Sequence, residues 1–521
     1  MHRFLPKDYT PDFTGNVGLF EVPVAELVAV AHELYGEKKL PLKTIVASDE
    51  RDEKAGGFKI FYVFGVPELH SFLVPYIVLQ DTEDFPSLSP TIHEAWNYER
   101  KIRTFFGLHP VGHTDKRSWN LHETWSESFH PLRKDTAWDD RAEGVKQAYQ
   151  FEKVEGEGIY EIPVGPIHAG IIEPGHFRFS VAGEEIVLLE ARLGWVHKGS
   201  EKLFEVLSLP DQLRLSEKIS GDSSFNHSLA FCQAIESLAE LSVPERAKYL
   251  RVIYAELERI ANHIGDAGFI MLDTGFNFGG AHCARLREMV LQLHESLTGS
   301  RFLRGVNTVG GVAKDIKDDR VAVVSQRLDA IVKEFLEIID IAENSGSLLN
   351  RLKTTGILTQ QVATEHGAIG VPGKAVGFAN DARLHYPYAA YAELGFDTIV
   401  TKEDGDVYAR FRVRIEEVYA ANQLTQKALE QLKGMSGPIA TTHHDFKLQK
   451  NAFALGVVEG WRGDIVYAVI TNSKGEIARV DVRDPSFLNW AALGHAGPGN
   501  IVPDFPLINK SFNLSYTGND L

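Results

Sequence analysis

The chain has 521 residues, a formal net charge of −17, 44% hydrophobic residues and 24% charged residues. This length predicts two to four domains with cores of their own, in a protein of ordinary globular composition. The acid excess excludes a nucleic-acid binder, which would carry a basic stripe, and direct adsorption on an anionic membrane surface.

There is no run of about 18 apolar residues, the length a membrane-crossing helix needs. The opening segment, residues 1–8, lacks the apolar stretch of a signal peptide. Any membrane association is therefore expected to come through partners. Two cysteines, Cys232 and Cys283, cannot supply a four-thiolate metal or iron–sulfur site, and they read as core residues of a protein in a reducing compartment.

In chain order, Val22 to Leu34 has helical apolar spacing. A strand is expected over Leu42 to Ala47, a charged turn over Asp49 to Lys54, and β-rich runs over Phe58 to Phe64 and Ser71 to Leu79. Trp96 to Phe106 reads as a helix stopped by Gly107. Together these predict a small α+β domain over residues 1–140, with a charged linker over 141–158. The segments Phe85-Pro86-Ser87-Leu88-Ser89-Pro90, Trp96-Asn97-Tyr98-Glu99-Arg100, Phe106-Gly107-Leu108 and His130-Pro131-Leu132-Arg133-Lys134-Asp135 resemble the 30-kDa subunit of respiratory complex I. That resemblance implies a docking scaffold with no cofactor of its own. Lys101 and Thr104 stand where the family commonly has acids, which implies a different partner-facing surface.

The remainder, residues 159–521, is expected to be mainly α-helical with small β-hairpins, so the fold class is α+β. A hairpin is predicted from Phe177–Val181 and Ile186–Leu189 around Gly183-Glu184, and Gly199 is expected to open a helix. The clearest helix runs from Pro244 to Ile264, with Gly265 expected to end it. Further helices are read at Ala281 to Leu297, at Gln326 to Ala342 and from Asp406 onward. Glu256, Arg259, Arg285, Arg287 and Glu288 lie on these helices, as buried ion pairs, a proton path or, more simply, structural salt bridges. Gly305 to Val312 is glycine-rich but matches no nucleotide-binding loop. The tail from Gly499 to Tyr516 is apolar enough to pack on the domain. The spacing of His168, His176, His197 and His227 matches no metal motif, so no metal site is expected.

Gly165 to Phe179, Gly194 to Lys202, Ser220-Gly221-Asp222-Ser223-Ser224-Phe225-Asn226-His227-Ser228 and Asp484-Pro485-Ser486-Phe487-Leu488-Asn489-Trp490 resemble the nickel–iron hydrogenase large subunit and its relative, the complex I 49-kDa subunit. The hydrogenase family holds its metals with four cysteines. At those positions this sequence has Ser220, Ser223, Ser486 and Asn489. A serine hydroxyl stays protonated at neutral pH and is a poor ligand for nickel or low-valent iron, which require thiolate. The resemblance therefore implies no nickel–iron centre and no cofactor bound by this chain.

By the same alignment, the histidine and tyrosine that contact quinone in complex I fall near Pro174 and at Phe225. Glu173 resembles the proton-transfer acid of hydrogenases. The resemblance implies proton handling by Glu173, His227 and Asp222, and an acceptor cavity lined by His168, Phe225, Ser220, Ser223, Ser486 and Asn489. The order of the two patterns resembles the fused large subunits of formate-hydrogenlyase and hydrogenase-4-type complexes. It implies a small iron–sulfur partner subunit, antiporter-like membrane-arm subunits and a peripheral position on the cytoplasmic side of the membrane. It also implies electron transfer toward a quinone coupled to ion translocation. The rival is a structural subunit with no redox ligand in its cavity, and an active nickel–iron hydrogenase ranks third because all four thiolates are missing.

Overall fold

A computed structural model describes residues 3–6, 9–54, 56–169, 171–401, 405–441 and 446–521. The N-terminal unit is built on a five-stranded sheet of Asp12–Thr14, Val17–Glu21, Ser71–Leu79, Phe58–Val66 and Leu42–Asp49, in that spatial order. Val17–Glu21 pairs with Ser71–Leu79 in parallel, and the other neighbours are antiparallel. Leu42–Asp49 is buried along its whole length, with Leu42, Ile45 and Ala47 in the core on one face and Val46 in that on the other. One face packs under the helices Leu27–His32 and Trp96–Phe106. The other lies against a second sheet from the far end of the chain, with Val46, Phe61, Val63 and Phe72 facing Phe453, Leu455, Val466 and Ile470.

The N-terminal unit is thus joined to the rest by a sheet-on-sheet core rather than tethered beside it. Ions reinforce that joint. Lys43 Nζ donates to Asp464 Oδ2 at 2.7 Å, and Lys101 Nζ reaches Glu201 Oε1 and Asp481 Oδ2, each at 2.9 Å. The expectation that Lys101 and Thr104 alter a partner-facing surface is therefore overturned. Both are buried, Lys101 against carboxylates of this same chain, which leaves that charge compensated internally.

The larger unit carries the predicted hairpin, His176–Ala182 with Glu185–Arg192, extended by Ile159–Val164. A second antiparallel sheet comprises Phe453–Gly460, Gly463–Thr471 and Ile477–Arg483. Around these lie the long helices Glu245–Asp273, Asn277–Thr298, Asp318–Glu343 and Val407–Leu432, with Ser224–Leu238 beside them. Asp406 caps Val407–Leu432 by accepting from Ala409 N at 2.8 Å.

Gly265 does not end its helix, which runs on to Asp273. The glycine is there for packing. A Cβ at Gly265 would come within 2.6 Å of Arg287 Cδ, and one at Gly268 within 2.6 Å of Cys283 Cβ. Both glycines let the neighbouring helix Asn277–Thr298 approach closely, and the cost of glycine in a helix interior, about 1 kcal/mol, is repaid by that contact. Cys232 and Cys283 are buried, and burial pushes the Cys283 thiol up to about 12.

Candidate functional site

The first half of the site is the turn Ser220–Ser223, which leads into the helix Ser224–Leu238. Ser223 N closes the turn on Ser220 O at 3.0 Å. The first amides of a helix lack intrahelical partners, and here a carboxylate from another helix supplies them. Glu258 accepts from Phe225 N at 2.7 Å, Asn226 N at 3.2 Å and Asn226 Nδ2 at 2.6 Å. Burial pushes Glu258 up to about 8, against the pull of those donors. The Asp222 carbonyl accepts from Asn262 Nδ2 at 2.8 Å and Trp461 Nε1 at 3.1 Å. The turn is held from beneath at both ends.

The second half begins at Asp484 and continues into the helix Ser486–His495. Asp484 Oδ1 accepts from Ser486 N at 2.7 Å, while Oδ2 lies 3.0 Å from His227 Nε2. The other ring nitrogen of His227 is 3.1 Å from Tyr467 Oη. Burial opposes the Asp484 charge, yet His227 and Arg462 together hold its carboxyl below the usual range. One turn along, Asn489 pairs with the Ile369 backbone, accepting from its N–H and donating to its carbonyl, both at 3.1 Å.

Ser515, from the C-terminal tail, joins the halves. Its N–H donates to Ser486 Oγ at 2.9 Å, and its Oγ lies 2.9 Å from Ser220 Oγ. Ser220 Oγ is also 3.0 Å from Asp222 Oδ1. Ser220 and Ser486, which the sequence separates by more than 250 residues, thus share one buried hydroxyl network through Ser515, and Ser220, Ser223, Ser486 and Asn489 are all excluded from solvent.

Against the same turn, Arg462 forms a two-pronged pair with Asp222, at 2.7 and 2.8 Å, and lies 3.8 Å over the Trp461 ring. Burial works against the Asp222 charge, but the guanidinium holds the carboxyl below its ordinary value. The turn that presents Arg462 is seated by a close backbone approach, since a Cβ at Gly370, which has φ +59°, would meet Arg462 O at 1.9 Å. Glu173 sits on the neighbouring loop, half-exposed, accepting from Thr517 N at 3.1 Å.

The other candidates fall elsewhere. His168 Nε2 closes its own loop on Gly175 O at 2.7 Å. Phe225 is buried in the core, with its ring 5.8 Å from that of Tyr254. His176 meets Gly165 O and His197 meets Asp520 O, so the four histidines of the region do not converge. Among the described residues no group of three His, Cys, Asp or Glu is placed to hold a metal ion. Of the helix charges, Glu256 and Arg259 form a buried pair, whereas Arg285 and Glu288 pair near the surface with Glu334 and Arg301.

The donor set at the four central positions is three hydroxyls and an amide, with Ser220, Ser486 and Asn489 already bonded to protein, and it does not fit nickel–iron coordination. What the arrangement offers is a largely buried guanidinium–carboxylate pair, a half-exposed glutamate bonded to the C-terminal tail, and a sealed His227–Asp484 pair. Arg462, Glu258 and Ser515 carry the geometry without having been singled out from the sequence. Only Arg462 had a visible signal, a Trp-Arg pair in a tight glycine-flanked turn between two strands.

Comparison with known proteins agrees with this architecture. Residues 20–142 match the family described as respiratory-chain NADH dehydrogenase, 30 Kd subunit, and residues 273–454 match respiratory-chain NADH dehydrogenase, 49 Kd subunit. Formate hydrogenlyase subunit 5 of Escherichia coli is 32% identical over 507 residues, 96% of this chain and 88% of that protein. Hydrogenase-4 component G of the same organism is 32% identical over 509 residues, covering 96% and 87%. A chain from the structure of the membrane-bound sulfane sulfur reductase, an archaeal respiratory membrane complex, superposes with a TM-score of 0.65 at 26% identity, covering 70% of this chain and 99% of that one. With both patterns in order on one polypeptide and full-length relatives above 30% identity, the chain belongs to the family of fused complex I 30-kDa- and 49-kDa-type subunits that includes formate hydrogenlyase subunit 5 and hydrogenase-4 component G.

Proposed function

We propose that this chain is the large peripheral subunit of a membrane-associated, complex I-like oxidoreductase, on the cytoplasmic side, and that it works without a nickel–iron centre. It takes electrons from an iron–sulfur cluster of a small partner subunit toward a quinone-type acceptor, in a complex coupled to ion translocation through antiporter-like membrane-arm subunits. One observation carries the reading. Ser220 and Ser486 are bridged by Ser515 into a closed hydrogen-bonded chain where the resemblance places metal-binding thiolates. The relatives support the membrane assignment, since one is titled a respiratory membrane complex. No helix among the described residues is long and apolar enough to cross a membrane, so attachment is assigned to partner subunits.

Within this reading the residues divide the work by exposure. Arg462, paired with Asp222, holds the Ser220–Ser223 turn in place. Glu173 is placed to exchange protons with solvent. His227 is sealed between Tyr467 and Asp484 and acts as a positioning residue that orients Asp484. Pro174 and Phe225 supply no donor for a quinone carbonyl, so the headgroup draws its hydrogen bonds from other residues. The closed hydroxyl chain and the buried Phe225 favour a second reading, a structural subunit with no chemistry of its own.

The test is affinity purification from detergent-solubilised membranes, followed by mass spectrometry of the partners, nickel and iron quantification, and an assay of quinone reduction. The proposal expects an iron–sulfur subunit, antiporter-like subunits, iron without stoichiometric nickel, and quinone reduction that falls at least tenfold in Glu173→Gln. One nickel per chain would overturn the nickel-free reading. An assembled complex that leaves quinone unreduced would favour the structural one.

A further inference from the structure

Between the N-terminal unit and the hairpin lies a cavity of about 580 Å³, within the usual size of a small-molecule site. Aromatic side chains from four segments line it, Trp96, Trp119, Tyr149 and, on one helix, Phe487 and Trp490, with Arg117 and Glu190 at one side. At its rim three histidines from separate segments meet. His93 stands edge-on to His366 with centroids 4.8 Å apart, and His366 Nε2 lies 2.9 Å from His495 Nε2. Burial, then the neighbouring His495 and His93, hold His366 at about 4, and burial and His93 lower His495 as well. Both rings are therefore neutral at pH 7. In a neutral pair sharing one N–H···N bond, the accepting ring must carry its proton on Nδ1. The pair thus always retains one N–H donor beyond its own bond.

The cavity is one side chain away from the hydroxyl network. Trp490, in its wall, donates Nε1–H to Ser515 O at 3.2 Å, and the Ser515 hydroxyl lies 2.9 Å from that of Ser220. Phe487 and Trp490 face the cavity from the helix Ser486–His495, which also carries Ser486 and Asn489.

We propose that this cavity is a binding site for a planar, carbonyl-bearing ring of the quinone class, stacked among Trp96, Phe487 and Trp490 and hydrogen-bonded by the His366–His495 pair. The choice of quinone rests on the function proposed above, while the site itself rests on the cavity. It places the acceptor apart from Pro174 and Phe225, neither of which can donate to a carbonyl.

The probe is menadione, titrated into the purified full-length chain and followed by quenching of tryptophan fluorescence and by equilibrium dialysis. Saturable one-to-one binding is expected. Ala491→Trp, which fills the cavity from its lining, should weaken it at least tenfold. His495→Leu, at an exposed position, should weaken it several-fold while leaving the melting temperature unchanged. Absence of saturable binding, or equal affinity in a folded Ala491→Trp chain, overturns the site. In the assembled complex, quinone reduction at full rate by Ala491→Trp removes the site but leaves the proposed function standing. A cavity that binds menadione in a complex that reduces no quinone does the opposite.

Discussion

The large unit concentrates polar side chains in two adjoining places, and they are built on opposite principles. Around Arg383, three cations (Arg259, Lys374 and Arg383) meet four carboxylates (Glu256, Asp381, Glu417 and Glu459), all buried. Arg383 alone reaches Asp381 at 2.7 and 3.0 Å, Glu256 at 3.2 Å and Glu417 at 3.1 Å. Around Ser220 the groups are mostly short hydroxyls and amides, and the ionisable ones are few: the Asp222–Arg462 and His227–Asp484 pairs and Glu258, bound to the amides of Phe225 and Asn226. Buried ions are tolerable only when each is paired several times over, so the Arg383 cluster is a rigid support. It grips the backbone of the turn that presents Arg462, with Arg259 donating to Glu459 O at 2.7 Å and Gly460 O at 3.1 Å. The hydroxyl site carries little charge of its own because the cluster beside it bears the electrostatic load.

If that division holds, the largest effect comes from the cluster. Arg383→Met removes the hub and leaves Asp381, Glu256 and Glu417 under-compensated, at a cost of about 3–5 kcal/mol. Denaturant unfolding of the purified chain measures it, and a loss below about 1 kcal/mol would show that the cluster is not the support described. Glu258→Ala comes next. It leaves the Phe225 and Asn226 amides buried without acceptors, at about 2–3 kcal/mol, and loosens the Ser220–Ser223 turn while sparing the cluster.

Acid provides a graded contrast. His366, held at about 4 by burial and its histidine neighbours, well below the ordinary imidazole value of about 6.5, stays neutral in the folded chain and binds a proton more readily once unfolded. Stability therefore rises with pH between about 4 and 6.5 and falls as pH drops through that window. In the denaturant midpoint measured from pH 7 to 4.5, His366→Gln should flatten part of the acid-side slope. An unchanged slope would mean that His366 is not shielded as its neighbours imply.

Much of this frame was legible in the sequence because it is written in short-range patterns. The sheet strands, the Gly183-Glu184 turn, the Gly107 stop and the helix starting at Asp406 all follow from local apolar periodicity and turn chemistry. Gly265 was misread because a glycine that permits helix–helix contact and one that stops a helix look alike until the neighbouring helix is in place. Lys101 was misread for a related reason, since its carboxylate partners Glu201 and Asp481 lie 100 and 380 residues away. The site was legible only as far as motifs reach. Resemblance marked Ser220 and Ser486, but Ser515 and Glu258 join them through tertiary contacts that no spacing encodes.

The smallest effect is the most discriminating. Ser220→Ala removes a hydroxyl that touches Asp222 Oδ1, Ser515 Oγ and, at 3.3 Å, Arg462 Nη1. No buried charge loses its only partner, because Asp222 keeps both prongs of Arg462. Ser515 keeps its N–H bond to Ser486 and the Gly518 amide that donates to its hydroxyl. A neutral hydrogen bond of this kind is worth about 1 kcal/mol or less, so unfolding should shift by that amount and no more. A loss of about 3 kcal/mol or more would place Ser220 in the same energetic class as Arg383. The hydroxyl network would then be a structural keystone in its own right, and the contrast between a charged support and a lightly built site would fail.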